Sequence, residues 1–346
     1  MPQAPTYIVT GGAGFVGSNL VAALLAREPR PRVVVVDTFR TGTFANLVEA
    51  CDRRGVGSFD GDVIPESAGE IDWDGLVTRL VPDAVFHEAA ITDTTLADER
   101  EMVRENAEGF RGVLRECVRA GVPLVYASSA ATYGSPAQAR DRVPFPLDAA
   151  GRASNVYGFS KWLMEVEHRR IAGERTSRGE PAPWVVGLRY FNVFGPGEAA
   201  KGKMASMAYQ LARQMLEGRA PRVFADGSQT RDQVYIDDVV DCTLTAAGLG
   251  DRRDPAPGVY NLGSGVSTSF NQVIAALRGP LGVSPTDRPT EYFDMPSAIR
   301  AFYQDYTCAD MSATVAGLGW RPRWKPADGI AEYARHLRAA PGPSAR

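Results

Sequence analysis

Lysine is nearly absent from this chain: of 38 basic residues only four are lysine, at positions 161, 201, 203 and 325. Arginine carries the rest of the positive charge. A guanidinium effectively never deprotonates, whereas an ammonium releases its proton as the surroundings dictate. A lysine kept in such a chain points to chemistry more than to solubility, and three of the four fall within residues 161–203. Cysteine is scarce as well. Cys51, Cys117, Cys242 and Cys308 lie far apart with no Cys-x-x-Cys pair, which argues against a zinc knuckle or a dithiol motif and leaves reduced thiols as the expectation. No metal is expected. No apolar run approaches the roughly 20 residues of a membrane span. A net charge of −3 gives no pull toward nucleic acid or acidic membranes. A strand begins almost at once, at Thr6, so no signal peptide is expected and the cytoplasm is the expected compartment.

What is present is a strand–helix rhythm. Thr6–Thr10, Val33–Asp37, Ala84–His87, Pro123–Ala127 and Val185–Tyr190 read as strands. Phe15–Arg27, Thr94–Arg119 and Asn155–Ile171 read as helices between them. Val33–Val36 is a continuous β-branched run, as in a strand covered on both faces. The alternation predicts an α/β fold with a doubly wound parallel sheet. After about Asn192 the rhythm gives way to shorter elements with Pro/Gly-rich joints at Asp254–Gly258 and Gly279–Pro289. The expected division is residues 1–190 as a dinucleotide-binding domain and 191–337 as a smaller α/β substrate region interleaved with it. Gly173–Pro183 reads as a surface loop and residues 338–346 as a disordered tail.

Gly11-Gly-Ala-Gly14-Phe-Val-Gly17 lies between a strand and a helix. Gly11 permits the tight turn, Gly14 lets the backbone approach a pyrophosphate, and Gly17 lets helix pack on strand. The helix N-terminus then faces negative charge. Asp37, twenty residues after Gly17, is placed to accept hydrogen bonds from ribose hydroxyls, which favours NAD. Arg40 can instead hold a 2′-phosphate, or be a solvated loop charge. Asp62, before Val63, can accept from the adenine amino group, or be a plain turn aspartate.

Tyr157 and Lys161 stand four apart, on one face of a helix. With 12 tyrosines and four lysines in 346 residues, chance supplies about 0.14 such pairs. An adjacent ammonium stabilises a phenolate, and can also hydrogen-bond the nicotinamide ribose. Ser129, in Tyr126-Ala-Ser-Ser129-Ala-Ala-Thr-Tyr-Gly134, ends a strand where ligands bind in open α/β sheets. Its hydroxyl can donate to a substrate oxygen as charge develops there. His87 reads as a structural histidine.

These elements, with Phe86-His-Glu-Ala-Ala90, Arg189-Tyr-Phe-Asn-Val-Phe-Gly-Pro196, Lys201-Gly-Lys-Met-Ala-Ser206, Arg231-Asp-Gln-Val-Tyr-Ile-Asp-Asp238 and Tyr260-Asn-Leu-Gly263, resemble the extended short-chain dehydrogenase/reductase superfamily over nearly the whole chain. That superfamily modifies nucleotide sugars on a Rossmann-type fold. His-Glu-Ala-Ala, the doubled alanine after Ser129 and Lys-Gly-x-Met-Ala-Ser resemble its branch that epimerises C6 of ADP-glycero-manno-heptose. The resemblance implies a tightly bound NAD(P), a nucleotide-sugar partner and a homo-oligomer. It implies two acid/base residues, Tyr157 and Lys201, one for each face of a transient 6-ketone. It further implies cofactor contacts from Phe15, Val16, Thr38, Val63, Ala89, Ala90 and Asn106. Asn192, Met204, Ser206, Phe224, Arg231, Tyr303 and Gln304 are implied to line the sugar-nucleotide pocket, with Arg231 clamping the diphosphate.

The chain departs from the branch in places. Asp37-Thr38 replaces Asp-Asn and a lysine of the next loop is missing, so NAD is favoured over the branch's NADP. Ala200 stands for a histidine, Lys203 for a serine and Phe302 for an arginine, which leaves room for another sugar or nucleotide. A nucleotide-sugar 4-epimerase is the alternative, and a non-catalytic dinucleotide sensor a different class. A 4,6-dehydratase is disfavoured, because Ala130-Ala131 stand where that branch has Asp-Glu.

Overall fold

The computed structural model describes residues 4–93, 98–135, 142–294 and 304–339. Its centre is a parallel seven-stranded sheet. Strands β1 (Thr6–Thr10), β2 (Arg32–Val36), β3 (Asp62–Ile64), β4 (Ala84–His87), β5 (Leu124–Ser129) and β6 (Val185–Tyr190) alternate with helices α1 (Phe15–Leu25), α2 (Phe44–Arg54), α3 (Trp73–Leu80), α4 (Glu99–Val103), α5 (Gly109–Ala120) and α6 (Val156–Ser177). The rest contributes β7 (Asn192–Phe194), α7 (Met207–Leu216), β8 (Arg222–Phe224), β9 (Thr230–Tyr235), α8 (Ile236–Ala246), β10 (Gly258–Leu262), β11 (Ser267–Ser269), α9 (Phe270–Leu281), β12 (Glu291–Phe293), α10 (Ser312–Leu318) and α11 (Pro326–Ala339). The sheet order is β10-β6-β5-β4-β1-β2-β3, so winding reverses between β1 and β4. In a parallel sheet that reversal opens a crevice at the carboxyl ends of the strands. The α/β fold expected from the sequence is the one observed.

Two hydrophobic layers sandwich the sheet. Val33 and Val35 face the layer of α1 and α2, while Val34 and Val36 face that of α3 and α5. Alternate residues of Val33–Val36 are thus buried on opposite faces, which is why all four are β-branched. β10 comes from the later half of the chain and pairs with β6. Smaller sheets, β11-β9-β7 and β12-β8, flank the crevice.

Several boundaries move. Strand β2 ends at Val36, one residue before the expected Asp37. Helix α1 ends at Leu25, with Ala26 as its cap. The long helix expected from Thr94 starts at Glu99 where it is described, and a π-helical turn at Arg104–Glu108 splits it; residues 94–97 lie outside the described residues. The expected loop at Gly173–Pro183 begins late, because α6 runs to Ser177. Arg170 holds that stretch helical through pairs with Glu167 and Glu174. The expected joint at Gly279 begins inside α9, which ends at Leu281 with Gly282 left-handed. Of the expected tail, Arg338 and Ala339 belong to α11, Arg338 Nη1 donating to the Pro280 carbonyl at 3.1 Å; residues 340–346 lie outside the described residues.

Gly173 sits exposed inside α6, and a Cβ added there would meet nothing within 4 Å. Glycine in a helix interior costs about 0.5–1 kcal/mol relative to alanine. Gly173→Ala should raise the unfolding free energy by about that amount, measured by denaturant titration.

Candidate active site

The glycine loop is built by close approach. A Cβ on Gly17 would stand 2.0 Å from the Gly11 carbonyl oxygen, and one on Gly11 (φ +67°) would stand 2.7 Å from the Ala89 nitrogen. Only glycine lets the first turn, α1 and the end of β4 share this space. Helix α1 starts at Gly14 with no side chain capping it. The first N–H groups of such a helix seek an acceptor, and the helix dipole favours an anion. Phe15, Val16 and Gly17 supply those N–H groups, so the loop fits a pyrophosphate.

Asp37 is buried just past β2. It accepts from Ala13 N–H at 2.9 Å and Phe39 N–H at 2.8 Å. A carboxylate has about four lone-pair sites, so it can tie down the loop and still receive ribose hydroxyls. Thr38 is exposed beside it.

Two expected cofactor contacts are otherwise engaged. Arg40 Nη1 donates to Glu101 at 2.5 Å, an ion pair across to α4. Asp62 opens β3, opposite Val34 and away from its carboxyl end, and accepts from Arg32 at 2.7 and 2.9 Å. A lone charge in a sequence does not show the partner that folding brings to it. Val63 follows on β3. Asn106, expected at the cofactor, is fully buried in the π-helical turn. Its amide exchanges hydrogen bonds with Ile91 N–H (2.7 Å) and Ile91 C=O (3.0 Å) and donates to Ser160 Oγ (3.0 Å). It thereby ties the loop after Ala89 and Ala90 to α6. A π-bulge that re-aims one side chain is typical of functional helices.

Helix α6 starts at Asn155, whose side chain accepts from Gly158 N–H at 2.9 Å. A Cβ on Gly158 would lie 2.5 Å from the Ala131 carbonyl oxygen, so this glycine seats the helix against the turn after Ser129. Its neighbour Tyr157 thereby comes beside Ser129, close enough for the serine to act on its hydroxyl. Burial raises the Tyr157 pKa, Ser129 counteracts, and the charge of Glu88 raises it further. Lys161, one turn on, is buried and donates to the Ala127 carbonyl at 2.8 Å. Burial brings its pKa down to about 8, against the opposing pull of Glu88.

Glu88 carried no role in the sequence reading. It follows β4, accepts from the Tyr190 hydroxyl at 2.9 Å and has its pKa raised to about 7 by burial, opposed by Tyr190 and Lys161. His87 is buried and packs on Phe110, with Nδ1 at 2.9 Å from Thr10 Oγ1. Burial holds it neutral, with a pKa of about 3.

Lys201 belongs to a second cluster. It lies in a 3₁₀ segment, Glu198–Met204, that packs on the start of α1. Its ammonium is 5.3 Å from the centre of the Phe15 ring. Burial lowers its pKa and Glu198 opposes the shift. Asn19 docks this segment by donating to the Pro196 carbonyl at 3.0 Å. Lys203, for which the sequence offered no role, pairs with Asp93 at 3.3 Å and so bridges to the loop after β4. Met204 is partly buried in the same segment.

The expected sugar-side residues lie beyond β6, with Asn192 and Arg231 on the paired strands β7 and β9. Ser206 caps α7, accepting from Tyr209 N–H at 3.1 Å, and donates its hydroxyl to Glu198 at 2.9 Å. Asn192 accepts from Thr307 at 3.1 Å. Arg231 is buried on β9, with its guanidinium 5.8 Å from the Phe270 ring centre. Phe224 packs against Phe293 with the rings tilted and their centres 4.7 Å apart. Gln304 donates to the Gly134 carbonyl. Tyr303 lies outside the described residues. A cavity of about 400 Å³ lies elsewhere, between α6 and the start of β10, with Arg169, Arg189 and Val259 in its wall. Among the described residues no group of three or more His, Cys, Asp or Glu side chains is arranged to hold a metal, and no helix is long and apolar enough to cross a membrane.

An uncapped helix start at the switch point of a doubly wound sheet places this chain among the Rossmann-type dinucleotide-binding proteins. Residues 7–263 match the model of the NAD dependent epimerase/dehydratase family, and the chain belongs to that family. It is similar to the ADP-L-glycero-D-manno-heptose-6-epimerase of Helicobacter pylori, at 32% identity and a TM-score of 0.81 over 97% of each chain. It is also similar to the UDP-glucose 4-epimerase of Thermotoga maritima, with 25% identity, a TM-score of 0.78 and coverage of 96% of this chain and 98% of that one. The UDP-glucuronic acid 4-epimerase of Bacillus cereus, solved with UDP-glucuronic acid and NAD, has 26% identity, a TM-score of 0.74 and coverage of 96% and 99%.

Gly17→Ala tests the loop. The forced shift should cost about 1–3 kcal/mol of stability and empty the purified protein of nicotinamide cofactor, read by thermal unfolding and by chromatography of nucleotides released on denaturation. Wild-type cofactor content would contradict this reading of the loop.

Proposed function

We propose that this chain inverts C6 of an ADP-glycero-manno-heptose through a transient 6-ketone. Residues 1–190 hold the cofactor in this reading, and 191–337 mainly hold the nucleotide sugar. The observation that carries the reading is the second acid/base candidate. Lys201 is half-buried beside the glycine loop, in a cluster that no hydrogen bond among the described residues joins to Ser129, Tyr157 and Lys161. One base at one position cannot readily serve both faces of a ketone. The 32% identity to the Helicobacter pylori 6-epimerase supports the same substrate class.

The bound nicotinamide supplies the chemistry of accepting a hydride and returning it. The protein's residues move protons and hold oxygens. Tyr157 removes the C6 hydroxyl proton, and Ser129, beside it, steadies the substrate oxygen. The Lys161 ammonium offsets the phenolate charge as it forms. After the ketone turns its other face, Lys201 delivers the proton that completes inversion. NAD is favoured over NADP because Asp37 stands at the ribose position and Arg40 is paired with Glu101.

A 4-epimerase reading draws on the Thermotoga maritima and Bacillus cereus enzymes and needs only Tyr157, with rotation of the sugar. Incubation with ADP-D-glycero-D-manno-heptose, followed at C6 by NMR in deuterated water, separates the readings. The 6-epimerase reading expects inversion, and a loss of at least about 100-fold in Lys201→Ala. Retained activity of Lys201→Ala on a UDP-hexose favours the 4-epimerase. No turnover of any nucleotide sugar favours a dinucleotide sensor.

A further inference from the structure

Glu198 is fully buried and three residues before Lys201. Its carboxylate is unusually well supplied with donors. Oε1 accepts from Gly195 N–H at 3.2 Å and from the Ser206 hydroxyl at 2.9 Å, and Oε2 accepts from Ser206 N–H at 2.6 Å. The Tyr333 hydroxyl reaches the same carboxylate from α11. Gly195 and Ser206 flank the segment that carries Lys201. One carboxylate thus fastens both ends of that segment. Between them the backbone bends at Gly197 (φ +96°) and Gly202 (φ +54°), so no continuous helix could fix the lysine instead.

Such a closure could be made by any pair of neutral hydrogen bonds. A buried carboxylate is the costly way to do it, because its charge must be compensated. The compensating charge is the Lys201 ammonium, three residues on, whose field acts on Glu198 while it sits 5.3 Å from the centre of the Phe15 ring.

We propose that Glu198 is a positioning residue for Lys201, closing its loop and serving as the fixed counter-charge to its ammonium. This rests on the reading of Lys201 as the second acid/base. The other groups facing Glu198 are Ser206 and Tyr209 from α7 and Tyr333 from α11, with Glu49 of α2 beyond Tyr333. His336 of α11 lies beyond Tyr333, stacked on it and 3.5 Å from Glu49, and the charge that acts on Glu198 itself is that of Lys201. Removing the carboxylate's charge lets burial act on Lys201 unopposed, and its proton leaves at lower pH.

The test compares full-length, cofactor-loaded wild type, Glu198→Gln, Tyr333→Phe, Lys201→Arg and Lys201→Ala. C6 inversion of ADP-D-glycero-D-manno-heptose is followed against pH, alongside thermal unfolding. The basic limb that is present in wild type and missing in Lys201→Arg belongs to Lys201. Glu198→Gln should shift that limb down by about one pH unit, so that at pH values above the wild-type limb the rate falls by about tenfold. Tyr333→Phe should shift it the same way by less. If Glu198→Gln does not fold, Tyr333→Phe decides, and an unshifted limb in it overturns the proposal. A Glu198→Gln enzyme with a lower unfolding temperature and an unmoved limb makes Glu198 a loop fastener only, which also overturns it. Should Lys201→Ala itself keep full inversion, it is the reading of Lys201 that fails.

Discussion

The arrangement around the reacting edge hangs on one buried ion pair. Arg189 of β6 meets Glu165 of α6 in a two-pronged contact at 2.9 and 2.7 Å, and both side chains are withdrawn from water. Glu165 also accepts from Ser128 at 2.6 Å and from Arg169 at 3.2 Å. Arg189 donates onward to the Tyr133 hydroxyl at 2.7 Å and the Leu147 carbonyl at 2.8 Å, and Tyr133 donates to Asn261 of β10 at 2.6 Å. A buried pair stabilises only when its lone pairs and protons are satisfied, and here they are nearly all used. Glu165 lies one turn beyond Lys161, and Ser128 immediately precedes Ser129. The network therefore fixes the helix and the strand that bring Tyr157 to Ser129, and it extends to the strand that completes the sheet.

From that anchor the site divides in two. Gly158 lets α6 settle against the turn after Ser129, so one cluster is rigid secondary structure held by packing. The other, around Lys201, is a bent segment held by Asn19, Glu198 and Ser206. The glycine loop lies beside the second cluster through Phe15. In the proposed reaction, proton donors and acceptors on separately anchored elements keep their positions while the substrate turns. Asp232 does similar work further along, buried and accepting from Ser264, Gly265 and Ala309.

Features that rest on local backbone physics were legible in the sequence. The glycine spacing, the β-branched strands and the Tyr–Lys pair each state a short-range requirement, and the structure forms an element at each. Features that rest on distant partners were not. Arg40 and Asp62 find Glu101 and Arg32, and Ser206 finds Glu198, through contacts 61, 30 and 8 residues away in sequence. Gly173 read as a loop start because its intrinsic preference says so, yet neighbouring ion pairs carry α6 past it. Glu88 stood inside a motif already singled out and Glu198 between two of them, but only burial distinguishes them from ordinary surface acids.

The most direct measurement is a double-mutant cycle on the anchoring pair. Unfolding free energies of wild type, Glu165→Leu, Arg189→Met and the double variant would be obtained by denaturant titration. Each single change is predicted to cost about 3–5 kcal/mol by stranding a buried charge, and the double variant should lose far less than their sum. Single variants within about 0.5 kcal/mol of wild type, or losses that simply add, would contradict an anchoring role for the pair.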